Sequence, residues 1–597
     1  MNQPTPAIVA QSAVRRLPRL ALLLLCAAYL LPGLVGRGPW KSADIAAFGY
    51  MAELARPLGG GLARWLDPTL LHLPPDVPAL LPYWIGAWAI DLAPAWLRPD
   101  LAVRIAFALL LWGVFTATWH AVYHLARTPR AQPVAFAFGG EAQPVDYARA
   151  MADGGLLALL ACLGLAQLGH ETTPALAQLF FSSCLFYGVA ALPYRGLVAT
   201  AALIAGTVGM TLSGAPTLAL LLGLGSFLIA WRQRPAAVRG LAELSGVSPT
   251  EAGTSYPLGA LVALGLATVL AAVLALRLGL FHWSVVWPGH RIGVTLKDEL
   301  HSQAKLLLWF TWPAWPLTVW TLWRWRRQLA ARHVALPLLF AMVPLAATLA
   351  TEASDRSLLL ALPALATLAA FALPTFRRSA AALVDWFTLL FFSGSAIIIW
   401  VIWIAMQTGV PAKPAANVAR LAPGFVPEFS LPAFAFALAG TIAWCWLVKW
   451  RTGRHQAALW KTLVLPAGGA ALCWLLLMTL WLPLLDYARS YGPQVRAVTE
   501  RVGRAPCLSE LGLSRPHIAA LRHHGGFALQ PLARSGNCPW LLVAPEALGQ
   551  LPGLVSLDHW RFAGTLRRPT NASDDLLLYQ RIDAPGTLPD IPAGAPP

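Results

Sequence analysis

Apolar runs of about 18 to 25 residues recur along the whole chain, each long enough to cross a hydrocarbon core of about 30 Å as a helix. Backbone N–H and C=O groups find no water in lipid, so such a run must satisfy them within itself, and a helix does this. About thirteen runs stand out, near 17–36, 101–126, 154–169, 174–193, 197–212, 215–231, 257–278, 304–323, 334–351, 357–374, 383–407, 431–449 and 460–484. The stretch 79–92 is apolar but short, fitting either a further span or a helix lying along the membrane. The expected fold is an all-α polytopic membrane bundle. From about residue 485 the chain turns polar and holds strand-like runs at 540–544, 560–566 and 576–579, with a helix signal around 515–523. These describe a small C-terminal α/β domain ending in a Pro-rich tail. The organisation expected is therefore a membrane domain over 1–484, with a long first loop at 37–100, and the small domain over 485–597.

Charge sets the expected orientation. The net charge of +17 is carried by short clusters between runs: Arg15-Arg16, Arg232-Gln-Arg234, Arg324-Trp-Arg326-Arg327, Arg377-Arg378 and Lys449-Trp-Arg451-Thr-Gly-Arg454. Clusters of this kind mark the cytoplasmic face, whereas nucleic-acid binding calls for a basic stripe interleaved with stacking aromatics in a soluble segment. The same clusters suit anionic membrane lipids, and the 27 Trp suit interfacial belts. Arg15, Arg16 and Arg19 precede a first run with no A-x-A site after it, which favours an uncleaved helix over a signal peptide. Counting from a cytoplasmic N-terminus, an odd number of spans puts the polar tail outside. Cys507 and Cys538 lie in that tail, where an oxidising compartment would join them as a disulfide.

Only 12% of the residues are charged, so acids at the outer ends of spans are informative. Asp44 follows the first run and Glu171 lies in the second outer turn, each where an ionisable group is costly and often functional. A carboxylate held there can take a proton from a hydroxyl, although either could instead cap a helix or sit in the wet headgroup zone. Arg104, at the start of its span, could hold a lipid-linked phosphate by charge-assisted hydrogen bonds, or could snorkel; Lys41 and His72 are weaker candidates for the same role. His282, His290 and His301, with Asp298 and Glu299, match no tight metal-ligand spacing, so no cofactor is expected and a divalent metal is not demanded. Gly59-Gly60-Gly61 lacks the Lys-Ser/Thr of a phosphate loop.

The chain resembles the membrane glycosyltransferases of the C-type fold, particularly the aminoarabinose transferase branch and the protein O-mannosyltransferases. The residues carrying the likeness are Gly38-Pro39-Trp40, Asp44, Leu73-Pro74-Pro75, Tyr83-Trp84 and Arg104, in the order of that branch's first loop. Ser213-Gly214-Ala215-Pro216 is similar to its Lys-Gly-Pro turn, and Asp355-Arg356-Ser357 to its charged turn before a Pro-containing span. The resemblance implies a polyprenyl-phosphate sugar donor and a lipid or glycan acceptor on the outer face, with lipid A modification as the branch's activity. It implies that Asp44 is the catalytic aspartate and that Glu171 is a second acid. Trp40, Tyr83, Trp84, His170, Asp355 and Arg356 would then line the substrate site. Three positions depart from the pattern: Ile45 replaces an acid, while Leu73 and Ser213 replace lysines. An inactive relative serving envelope assembly, and a lipid-carrier flippase, are the alternatives.

Overall fold

The structure is a computed structural model that describes residues 5–56, 61–233, 256, 258–281, 296–350, 355–376, 378–453, 458–503, 505–534, 538–570 and 574–582. His282 and His290 lie outside these residues, and of Asp355 only the backbone is described. Among the described residues, six helices are long and apolar enough to cross a bilayer: Pro99–Ala126, Pro174–Ala191, Leu258–Arg277, Arg332–Ala350, Ala381–Thr408 and Leu431–Thr452. The protein is a multi-pass membrane protein. The other expected runs also carry helix: 197–212 and 215–231 as Gly196–Leu212 and Pro216–Arg232, the rest shortened or broken. Arg19–Leu30 stops before Pro32, whose ring cannot continue a helix. The run at 304–323 is divided into Leu296–Phe310 and Ala314–Arg324 around Pro313. The last run is two helices, Lys461–Leu477 and Leu482–Arg489, bent by 70°.

The bundle packs through small residues. Pro174–Ala191 lies against Gly196–Leu212, where a Cβ on Gly206 would stand 2.4 Å from the backbone nitrogen of Leu185. Close backbone approach of this kind drives helix association in lipid, where apolar burial supplies little.

The first loop is itself helical, with Ala43–Leu54, Gly61–Leu66 and Leu81–Asp91. The last realises the stretch 79–92, and its 11 residues span only about 16 Å, too few to cross the core. It packs on Ala43–Leu54, with the Tyr50 and Tyr83 rings 5.3 Å apart.

The C-terminal part begins with the helix Gly492–Val502 and then forms a mixed five-stranded sheet. Its strands are β1 (Leu508–Leu511), β2 (Leu529–Pro531), β3 (Trp540–Val543), β4 (Trp560–Leu566) and β5 (Leu576–Arg581), in the order β2-β1-β3-β5-β4. β1 runs parallel to β2 and β3, and the helix Arg515–Gly525 makes the crossover from β1 to β2. Cys507 and Cys538 precede the neighbouring strands β1 and β3 and are joined by a disulfide, with Cα atoms 5.3 Å apart.

This domain sits on the first loop. Arg515–Gly525 lies against Ala43–Leu54 so closely that a Cβ on Gly49 would stand 2.6 Å from that of Ala519. Arg522 pairs with Glu53 at 2.5 Å, Arg515 with Asp76 at 2.5 Å and Lys41 with Asp574 at 2.8 Å. His72 lies 3.7 Å from Glu510.

Candidate active site

Asp44 lies in the first turn of Ala43–Leu54, where a negative charge meets the positive end of the helix dipole. Its side chain is 1% exposed and accepts four hydrogen bonds. The Thr172 backbone N–H and hydroxyl donate to Oδ1 at 2.7 and 2.6 Å. The Trp40 backbone N–H and the Arg37 guanidinium donate to Oδ2 at 3.0 and 3.4 Å. Thr172 follows Glu171, so these bonds tie the first loop to the second outer turn. Both acids thus occupy one end of the bundle, close enough to interact.

Glu171 is buried and pairs with Arg356 at 3.1 Å, while Gln167 donates to it at 3.2 Å. Burial, then the negative charge of Asp44, raise its carboxyl above the usual range, and Arg356 opposes them. His170 is half-buried beside Tyr29 and Trp474, its ring nitrogens 2.5 Å from the Ala166 carbonyl and 3.0 Å from that of Tyr29. Burial and the Arg37 cation push it down to about 4, against the pull of those carbonyls.

Arg37 was not singled out from the sequence, yet it organises the site. Its guanidinium donates to Gly33 O at 2.8 Å and His170 O at 2.6 Å besides Asp44. Its guanidinium carbon stands 4.6 Å from the Trp40 ring centre, and that of Arg489 5.5 Å from it. The Trp40 indole N–H donates to Asp486 at 3.0 Å, so the ring is held on every polar edge. The signal for Arg37 was its place seven residues before Asp44, but an Arg at the end of an apolar run usually reads as snorkelling.

Arg37 and Arg104 line one small pocket together with His170 and the apolar Leu30, Leu34, Phe107 and Leu176. Arg104 is held by the Asp100 carboxylate and carbonyl and by Leu34 O at 2.7 Å. Three of the five N–H groups of each arginine are used in these contacts, which leaves two apiece. The pocket sets two cations against one apolar wall but is little wider than a water molecule here, so an anion would have to open it. A whole lipid-linked sugar needs more space.

Lys41 and His72, expected at a phosphate, face the C-terminal domain instead, through Asp574 and Glu510. Tyr83 and Trp84, expected at the substrate, hold the first loop together: the Tyr83 hydroxyl donates to Val77 O at 3.4 Å and the Trp84 indole to Trp65 O at 2.8 Å. The Ser213-Gly214 turn packs on the same loop, with the Leu80 N–H donating to Leu212 O at 2.8 Å. Asp355 begins the short helix Asp355–Leu359, next to Arg356. Among the described residues no cluster of three or more His, Cys, Asp or Glu could hold a metal.

No family model matches the chain, and no curated protein matches it by sequence. Solved structures do match. The apo structure of ArnT from Cupriavidus metallidurans superposes with a TM-score of 0.54 at 14% identity, covering 94% of this chain and 96% of that one. The structure of the same protein bound to undecaprenyl phosphate gives a TM-score of 0.54 at 13% identity, covering 96% and 98%. The chain therefore has the fold of ArnT over most of its length.

Proposed function

We propose that this chain, built on the fold of ArnT, is an integral membrane glycosyltransferase. It moves a sugar from a polyprenyl-phosphate carrier to a lipid or glycan acceptor at the outer, periplasmic face of a bacterial inner membrane. The observation that supports this most directly is the pairing of a buried, hydrogen-bonded aspartate with a pocket whose cations and apolar wall suit a lipid phosphate. That ArnT has been seen with undecaprenyl phosphate supports the carrier.

In the proposed reaction the acceptor hydroxyl oxygen attacks the anomeric carbon of the sugar. The bond from that carbon to the phosphate oxygen breaks, and the electron pair leaves with the polyprenyl phosphate. The hydroxyl proton passes to the Asp44 carboxylate, which has been fixed beforehand by Thr172 and Trp40. The Arg37 contact is the longest of the four, at 3.4 Å, and a donor phosphate in the pocket would draw Arg37 away and free an oxygen for the acceptor. Glu171 orients the acceptor or sugar, with Arg356 beside it. Arg37 and Arg104 take the place of the lysines that Leu73 and Ser213 replace. They supply the positive charge a leaving phosphate needs, so no metal is required, and EDTA is expected to leave transfer unchanged.

The test is mass spectrometry of envelope lipids and glycans from a strain lacking the chain, complemented with wild type or Asp44→Asn. Wild type should restore one missing sugar mass. Asp44→Asn should lower transfer by at least about 100-fold, the scale of lost general-base help. Glycans that are unchanged by deletion, or restored equally by Asp44→Asn, would leave only an assembly role.

A further inference from the structure

Helix Pro99–Ala126 carries the pocket near its start, and about 35 Å away, at its other end, a second set of cations converges. Arg127 closes that helix, Tyr194 and Arg195 follow helix Pro174–Ala191, and Arg332 opens helix Arg332–Ala350. The guanidinium carbon of Arg127 stands 4.9 Å from the Tyr194 ring centre and that of Arg332 stands 5.9 Å from it. Arg332 also stands 4.6 Å from the ring of Tyr256.

Arg332 is 7% exposed. One of its terminal nitrogens donates to the carbonyls of Val189, at 3.0 Å, and Ala190. Among the described residues, its Nε and its other terminal nitrogen have no hydrogen-bond partner, nor does the Tyr194 hydroxyl. No carboxylate pairs with Arg127, Arg195 or Arg332 among the described residues, although each of Arg16, Arg37, Arg98, Arg104 and Arg451 has one.

The helix termini do not neutralise the group. Three full positive charges, with about +0.5 from the start of Arg332–Ala350, face about −0.5 from each of two helix C-termini, a surplus of about +2.5. Contact with phenol faces explains the packing but returns no negative charge. A desolvated cation without a counter-charge is costly, and basic pockets between membrane helices are where phosphate headgroups bind.

We propose that this cluster binds a phosphate-class anion, either the headgroup of an anionic phospholipid or a free phosphate. The site is separate from the chemistry at Asp44 and does not depend on it. Arg195 is exposed and Arg127 half-buried, so both are within reach from outside. Arg332, held by the helix carbonyls, forms the floor.

Native mass spectrometry of the full chain in detergent, with added phosphatidylglycerol or phosphatidylcholine, tests the lipid source. Thermal unfolding with inorganic phosphate tests the free anion. Wild type should retain phosphatidylglycerol at least tenfold better than phosphatidylcholine, or be stabilised by millimolar phosphate. Arg127→Gln with Arg195→Gln should remove whichever effect is present. The same pair changed to Lys should keep part of it, and Arg326→Gln with Arg327→Gln, an equal loss of charge elsewhere, should keep all of it. Loss in the lipid arm names a headgroup as ligand, and loss in the phosphate arm names the free anion. No anion preference in wild type, or an equal fall in the control pair, would overturn the proposal.

Discussion

Arg37 touches more of the site than either acid does. It binds the Gly33 and His170 carbonyls, meets Asp44 and covers the Trp40 ring, all while 5% exposed. Removing it strands two carbonyls and leaves Asp44 buried without its cation, which costs about 3 to 5 kcal/mol when a buried pair is broken. Arg37→Met is therefore expected to lower the unfolding temperature markedly in detergent. Arg37→Lys should recover part of the stability but less of the activity, because a point charge cannot reproduce the three-way fork. Equal stability in wild type and Arg37→Met would mean that the pair contributes nothing. Asp44 and Glu171 could be found from the sequence because acids are scarce at span ends. Arg37 could not, because arginines at span ends are common, and its role depends on a carbonyl more than a hundred residues away.

At the scale of elements, the contact between Arg515–Gly525 and Ala43–Leu54 is sensitive to acid. His523 packs edge-on against Phe48, with ring centres 4.7 Å apart, and touches His524 at the same distance. Burial and the neighbouring cations hold both imidazoles below their ordinary value. For His523 these cations are His524, Arg98 and Arg104, with Asp100 opposing; for His524 they are Arg98 and Arg496, with Asp486 and Asp100 opposing. A histidine lowered on folding contributes stability that is complete above its ordinary value of about 6.5 and is lost as pH falls toward the folded value. Hydrogen exchange over Ala43–Leu54, corrected for intrinsic rate, should therefore speed up between pH 7 and pH 5. His523→Asn with His524→Asn should flatten that dependence, whereas equal protection at both pH values in wild type would count against it.

The strands show what periodicity can and cannot supply. β3, β4 and β5 are apolar runs and were expected within a residue or two. β1 and β2 hold Ser509, Glu510, Gln530 and Pro531, so only their neighbours in the sheet identify them as strands. The break at Pro313 and the bend after Leu477 leave apolar length unchanged, so run length alone does not reveal them.

For the molecule as a whole, the membrane bundle was legible because lipid imposes one rule on every span. The seating of the C-terminal domain on the first loop was not, since it rests on local detail such as the Gly49–Ala519 approach and the Arg522–Glu53 pair. The disulfide matters at this scale. Cys507 and Cys538 are 31 residues apart, and closing that loop removes unfolded-state entropy equivalent to about 3.5 kcal/mol in the chain-entropy picture. Cys507→Ser with Cys538→Ser should lower the unfolding temperature of the C-terminal domain and loosen its hold on the first loop, read as faster proteolysis near residue 57. A double variant as resistant as wild type would show that the cross-link is dispensable.

The docking of Gly49 on Ala519 joins residues made at opposite times. At about 5 to 20 residues per second, the ribosome releases helix Arg515–Gly525 roughly half a minute to a minute and a half after helix Ala43–Leu54. During that interval the segment carrying Asp44 waits without its cover, so a nascent chain halted before its final stretch would be inserted yet unfinished at its reactive end.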